Sequence, residues 1–307
     1  MLSSNFLRIH WAALRALLVL TVITGLAYPL LIWLVAQIPG LHEKAEGSIL
    51  TANGRAIGSR LIGQSFTDAG GNPVPKYFQS RPSAAGSGYD PTSSGASNLG
   101  PESIVDVPAD PAQLKAGKSA SDAGFKPSLL TAVCTRSAAV GELEGVSGAR
   151  PFCTGGGAGA VLSVIGPRDA RGNVTHPVRV ISVNEPCAAT QATFLASYEG
   201  VRVACSRYGE NYSTGQIVPI RGGAPANPAV PADAVTASGS GLDPDISSAY
   251  ANIQVARVAR ARHVSTGQIR AVVAQHRSGR ALGFLGEPTI NVLLLNLDLD
   301  RRYPVTG

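Results

Sequence analysis

Ser238-Gly239-Ser240-Gly241 is the stretch with the most chemical promise. It precedes an apolar-periodic run read as a helix, so its hydroxyls and small residues could turn backbone N–H groups toward a phosphate. The competing reading is a tight turn packed on that helix. Ala112 to Ser119 fits a loose Walker A pattern, with Ala for the first Gly. A phosphate loop needs a buried strand before it and a helix after it. Here Pro108 and Pro111 precede, and a Ser/Ala/Gly run follows, so the match is rejected. There is no G-x-S-x-G nucleophile elbow. There is no D-K-T-G-T phosphorylation sequence either, which excludes the catalytic subunit of a phosphorylated ion pump. Asp243/Asp245 and Asp298/Asp300 could suggest acid–base work or a metal, but caps and solvated ends account for them more simply. His10, His42, His176, His263 and His276 are scattered without metal-ligand spacing and read as ordinary surface or partly buried histidines. No catalytic residue and no metal are expected.

Cys134, Cys153, Cys187 and Cys205 form no C-x-x-C pair, so zinc-ribbon spacing is missing. Outside the cytoplasm their default state is two disulfides, with three pairings open.

What must position these groups begins with an apolar run. Ala16 to Val35 is almost entirely apolar, and a helix of about 20 residues spans a bilayer's hydrocarbon core. The predicted membrane helix is 16–38, with 1–15 in the cytoplasm. Arg8 and Arg15 precede it, which puts that end inside and the bulk of the chain outside. A cleaved signal peptide would have a shorter apolar region and a small-residue cleavage site, which are missing here. Gly25, Tyr28 and Pro29 suggest a span packed laterally on partner helices.

The remainder is rich in Gly, Pro, Ser and Ala, enough for one or two domains. The net charge is +6, with Arg257, Arg260, Arg262, Arg270, Arg277 and Arg280 clustered late. Aromatics make up only 6% of the chain, too few to interleave with these bases and stack nucleotides, so nucleic acid is excluded. The arginines read as solvated helix faces.

Along the chain, Asn53-Gly54 signals a hairpin. Arg60 to Phe66 reads as a short strand or loop edge. Gly86 to Asn98 is too polar for a core and reads as a surface or binding loop. Val133, Val161 to Ile165, Val178 to Val183 and Val201 to Val203 predict a β-rich module. Asp245 or Ser247 caps a helix reaching about Arg262. Ser265 with Gln268 makes a capping box for a second helix, ending at Gly279. Ile290 to Leu299 alternates like a strand, yet Asn291 can cap a helix, and helix is favoured.

Several strings together resemble the KdpC family, the C subunit of the bacterial Kdp potassium-transporting P-type ATPase. They are TGLAYPLLIW in the span, GSRLIGQSF, YFQSRPSA, the SSGASNLGP run, VTASGSGLDPDIS and GRALGFLGEPTINVLLLNLDLD. The fold expected is a single N-terminal transmembrane helix plus an extracytoplasmic α+β domain at 39–105 and 229–307, with a β-rich inserted module at 106–228. The insert is a departure from the family and carries all four cysteines.

The resemblance implies an accessory, non-phosphorylated subunit in the cell (inner) membrane. Its partners would be a potassium-channel-like A subunit, an ATP-hydrolysing B subunit and a small F subunit. It implies a catalytic chaperone that raises the B subunit's affinity for ATP, with Ser238 to Gly241 as the nucleotide-binding candidate. A domain outside the membrane does not reach cytoplasmic ATP, so a cap shaping potassium access to the A subunit is the alternative. A free-standing anchored binding module is the other.

Overall fold

The computed structural model describes residues 2–52, 54–85, 90, 92–93, 95, 99–185 and 192–305, without the side chains of 2–4. Asn53, most of the 86–98 run and Cys187 lie outside them. The contacts divide the chain into two units, residues 1–62 and 63–307.

The first unit begins with helix α1 (Leu2–Val22), a π turn (Ile23–Ala27) and helix α2 (Tyr28–Ala36). The π turn has a cause in the sequence. Pro29 has no N–H to give Gly25 O, and its ring crowds that carbonyl. One residue earlier, Tyr28 N–H reaches back five residues to Ile23 O. The stretch Asn5–Ala36 is long and apolar enough to cross a membrane. Helix therefore starts well before residue 16 and stops just short of 38. A short helix α3 (His42–Ala45) leads to an antiparallel hairpin of β1 (Ile49–Ala52) and β2 (Arg55–Ser59), turning at Gly54 with φ +74° as the sequence predicts. Residues 60–66 form no strand.

In the second unit, short helix α4 (Pro111–Lys115) and helix α5 (Leu129–Glu144) precede a mixed sheet. Its strands are β3 (Val161–Ile165), β4 (Arg179–Ser182), β5 (Ser197–Tyr198), β6 (Val201–Cys205) and β7 (Gln216–Pro219), in the order β5-β6-β4-β3-β7. Only β4 and β6 pair parallel. The valine runs at 161, 178 and 201 are thus strands, as expected. Val133 is not: it lies in α5, capped by Ser128 and closed by Gly145 at φ +68°. A β-branched residue is a weak marker once both helix ends are fixed.

Next come β8 (Asp245–Ser247), α6 (Ser248–Ala261), α7 (Thr266–Gln275), β9 (Arg277–Ser278), β10 (Thr289–Asn291) and α8 (Val292–Arg302). The small sheet runs β8-β10-β9. Ser247 caps α6, while Asp245 belongs to the strand. The Ser265/Gln268 capping box opens α7. That helix ends at Gln275 rather than near Gly279, because Arg277 and Ser278 pair with β10. The final run is a helix capped by Asn291, as favoured; its alternating leucines are all helical, and strand is confined to Thr289–Asn291 at its start.

The main core gathers Phe78, Tyr250, Val255, Ile269, Ile290, Leu295 and Leu299, with Val133 and Val140 of α5 packed against it. Phe78 enters this core on a chain that has no strand partner there. Burying bare backbone is costly, so side chains replace the missing ladder. Asn296 accepts from Phe78 N–H at 2.8 Å and donates to Phe78 O at 2.9 Å. Gln254 does the same for Gln79, at 2.7 and 3.1 Å. Both amides are fully buried.

Replacing Gln254 with Leu roughly keeps its volume but orphans the N–H and C=O of Gln79 and a guanidinium N–H of Arg257. The expected loss is about 3 kcal/mol or more, at about 1–3 kcal/mol per orphaned group. Thermal unfolding of the full chain in detergent reads it. A loss below 1 kcal/mol would contradict the role given to this amide.

Candidate functional site

The segment 75–84 is the frame on which the family-like motifs meet. Arg257 of α6 donates to Pro75 O at 2.8 Å, to Tyr77 O at 2.9 Å and to Gln254 Oε1 at 2.9 Å. Its Nε faces the Glu144 carboxylate of α5 at 2.9 Å, and the glutamate side chain is wholly buried. Burial pushes the Glu144 carboxyl above its usual range, and the hydrogen bonds and charge of Arg257 pull against that. Arg262 donates to Lys76 O at 2.8 Å and to Asp300 at 2.8 Å. Tyr77 donates to the other oxygen of Asp300 at 3.1 Å. Arg257 and Arg262 are therefore buried clamps, not the solvated face their clustering suggested. The visible signal was Gln254 and Arg257, polar residues among the periodic apolar positions of α6.

Downstream, the same segment holds the Ser238–Gly241 loop. Ser238 N–H donates to Pro82 O at 2.7 Å, and Ala84 N–H donates to Ser238 O at 2.8 Å. Gly95 N–H donates to Gly239 O, also at 2.7 Å. A Cβ at Gly95 would run into Ala84 O, and one at Gly63 into Asp243 O, so two glycines of the resemblance motifs are fixed by close backbone approach. Arg81 pairs with Asp243 at 2.8 Å and donates to Thr236 O at 3.1 Å.

This geometry does not fit a phosphate cradle at a helix start. Gly241 N–H goes to Ser238 Oγ and Leu242 N–H to Ser240 Oγ. Strand β8 separates the loop from α6. The start of α6 is capped by Ser247, whose N–H and Oγ both bond to the Asp233 carboxylate. Beside Gly241 lies an open cleft of about 250 Å³, lined by Gln64, Ser65, Thr67, Ser80 and Arg81 among others.

The other sequence candidates fall apart spatially. Ala112 to Ser119 has no strand before it, and only a short helical turn and bends within and after it. Asp298 and Asp300 are ion-paired, not solvated ends. Asp298 meets His276 Nε2 at 3.0 Å and Arg302 at 2.8 Å. Among the described residues, no three His, Cys, Asp or Glu side chains group as metal ligands. Cys134 and Cys153 form a disulfide between α5 and the loop ahead of β3. Cys205 is also disulfide-bonded.

The sequence model described as K+-transporting ATPase, c chain, matches residues 10–132 and 212–301, a span that includes every clamp described above except Glu144. The chain belongs to the KdpC family. It is 36% identical over 301 residues to the potassium-transporting ATPase KdpC subunit of Kineococcus radiotolerans, covering 98% of this chain and 97% of that one. The corresponding subunit of Koribacter versatilis is 34% identical over 94% of this chain and 91% of its own. That of Mycobacterium tuberculosis is 33% identical, over 94% and 96%. The KdpC model leaves out 133–211, yet the Kineococcus alignment runs through nearly the whole chain. The middle segment therefore has a counterpart of similar length in that relative.

Burial pushes Asp298 up, but hydrogen bonds from His276 and Arg302 outweigh it and hold the carboxyl below its usual range. A depressed folded value means the stabilisation is complete above about pH 4 and is lost as pH falls through the folded value. Asp298→Asn should thus lower the melting point at neutral pH, with the gap to the parent closing in acid. A gap independent of pH would contradict this.

Proposed function

We propose that this chain is an accessory, non-phosphorylated subunit of an ATP-driven potassium uptake complex. The observation that carries this is the family match, which includes both the apolar helix and the clamped segment. We take it to span the membrane once, with residues 39–307 outside the cytoplasm. Arg8 and Arg15 ahead of the apolar run support that orientation. So does the Cys134–Cys153 disulfide, a bond that persists in oxidising compartments. Its partners are then the channel-like A subunit, the ATP-hydrolysing B subunit and the small F subunit. The segment 106–228 is taken as an insertion into the family domain; of it the family model leaves out 133–211 but matches 106–132 and 212–228.

On that side of the membrane the domain stabilises the complex and caps potassium access to the A subunit. The second reading, a catalytic chaperone raising the B subunit's ATP affinity, rests on resemblance alone, and the Ser238–Gly241 geometry lends it nothing.

The test is purification of the tagged chain from potassium-starved membranes in mild detergent. Stoichiometric recovery of a channel-like subunit and a P-type ATPase is expected. Recovery of the chain alone, with those subunits present in the same membranes, would contradict the proposal and favour a free-standing binding module. A topology reporter at the C-terminus should report outside. A cytoplasmic result would overturn the cap and restore ATP contact.

A further inference from the structure

The connection between β9 and β10 presents three large apolar side chains to solvent. Leu282 is 82% exposed, Phe284 69% and Leu285 51%. Leu282 is the most exposed large apolar side chain among the described residues, above even Leu7 of the apolar helix at 68%. The tip is not a slack loop. Ala281 and Leu285 exchange both backbone hydrogen bonds at 2.9 Å. Left-handed backbone at Leu282 (φ +54°), Gly283 (φ +83°) and Gly286 (φ +78°) turns the chain. At its base Arg280 holds both oxygens of Glu287, at 2.9 and 3.1 Å. A leucine with positive φ is uncommon. Here it fixes an apolar tip in place without using it in any core.

The geometry points to a docking knob: Leu282, Phe284 and Leu285 insert into an apolar depression on the extramembrane surface of a neighbouring subunit of the ATPase. This deepens the accessory-subunit reading and rests on it. Two observations favour a protein over a lipid surface. Segment 280–287 carries one cation and one anion, paired with each other. It therefore lacks the basic excess that draws loops to anionic headgroups. An aromatic anchor flanked by leucines, with its one Arg and one Glu paired at the base, also has the make-up of a protein interface hot spot. The preformed turn lowers the ordering cost of docking.

The test uses the assembled complex in its membrane. A photo-crosslinking residue in place of Phe284 should link to another subunit of the ATPase. Crosslinks to lipid only, or none, would overturn the proposal. In parallel, the triple variant Leu282→Ser, Phe284→Ser, Leu285→Ser should retain about tenfold less of the other subunits through a detergent wash. Its own melting point should stay unchanged. Val178→Ser, at a site equally exposed at 69%, should retain them fully. Undiminished retention by the triple variant counts against the knob. If the parent chain itself recovers no ATPase subunit, the accessory-subunit reading falls and the knob falls with it. A parent that recovers them while position 284 links to none removes the knob alone.

Discussion

The 63–307 unit depends on one constraint: residues 75–79 run from the surface into its core, where Phe78 and Gln79 are buried, without a strand beside them. Every polar backbone atom buried there needs a partner, and α6 and α8 supply them from side chains. Asn296 and Gln254 act as pieces of a strand, each giving one donor and one acceptor to a single residue of the segment. Arg257 and Arg262 take the carbonyls at 75, 76 and 77. Fully satisfied, such a network fixes one arrangement; partly satisfied, it costs more than an apolar core would. Two helices and the segment are therefore locked in one register. The Ser238–Gly241 loop, bonded to residues 82 and 84 just downstream, inherits its position from that lock.

The same network ties in the middle of the chain. Glu144 closes α5 onto Arg257, and Arg136 and Arg150 donate to Val235 O and Val230 O. The Cys134–Cys153 bond joins α5 to the approach to β3. A segment that the KdpC model does not match is thus held to the matched part by buried charge and hydrogen bonds. Breaking such a buried pair from one side costs about 3–5 kcal/mol. These ties give a physical reason for the contacts to gather 63–307 into one unit.

Much of this was legible in the residues. The apolar run, the Gly54 hairpin, the valine strands and the Ser247, Ser265 and Asn291 caps are local signals that the structure bears out, although helix begins well before the apolar run and stops short of residue 38. Helix α5 was hidden because its ends, Ser128 and Gly145, say more than its valines. The clamps were hidden for a different reason. Gln254, Arg257, Arg262 and Asn296 bind residues about 175 to 220 positions away in sequence. No local period encodes such a pairing. Only their polarity at buried positions in α6, just past its end and in α8 hinted at it. The Ser238–Gly241 loop looked like chemistry because small residues serve phosphate binding and close packing equally well. Its hydrogen bonds show packing.

The central claim is that side-chain amides hold the 75–79 segment as firmly as a strand ladder would. Amide hydrogen exchange of the full chain in detergent, read at Phe78 and Gln79, tests it most directly. The account predicts that these amides exchange only on global unfolding, as slowly as those of α6. Exchange at the rate of the exposed 280–287 turn would mean that the segment opens locally. The network would then not be what holds the domain together.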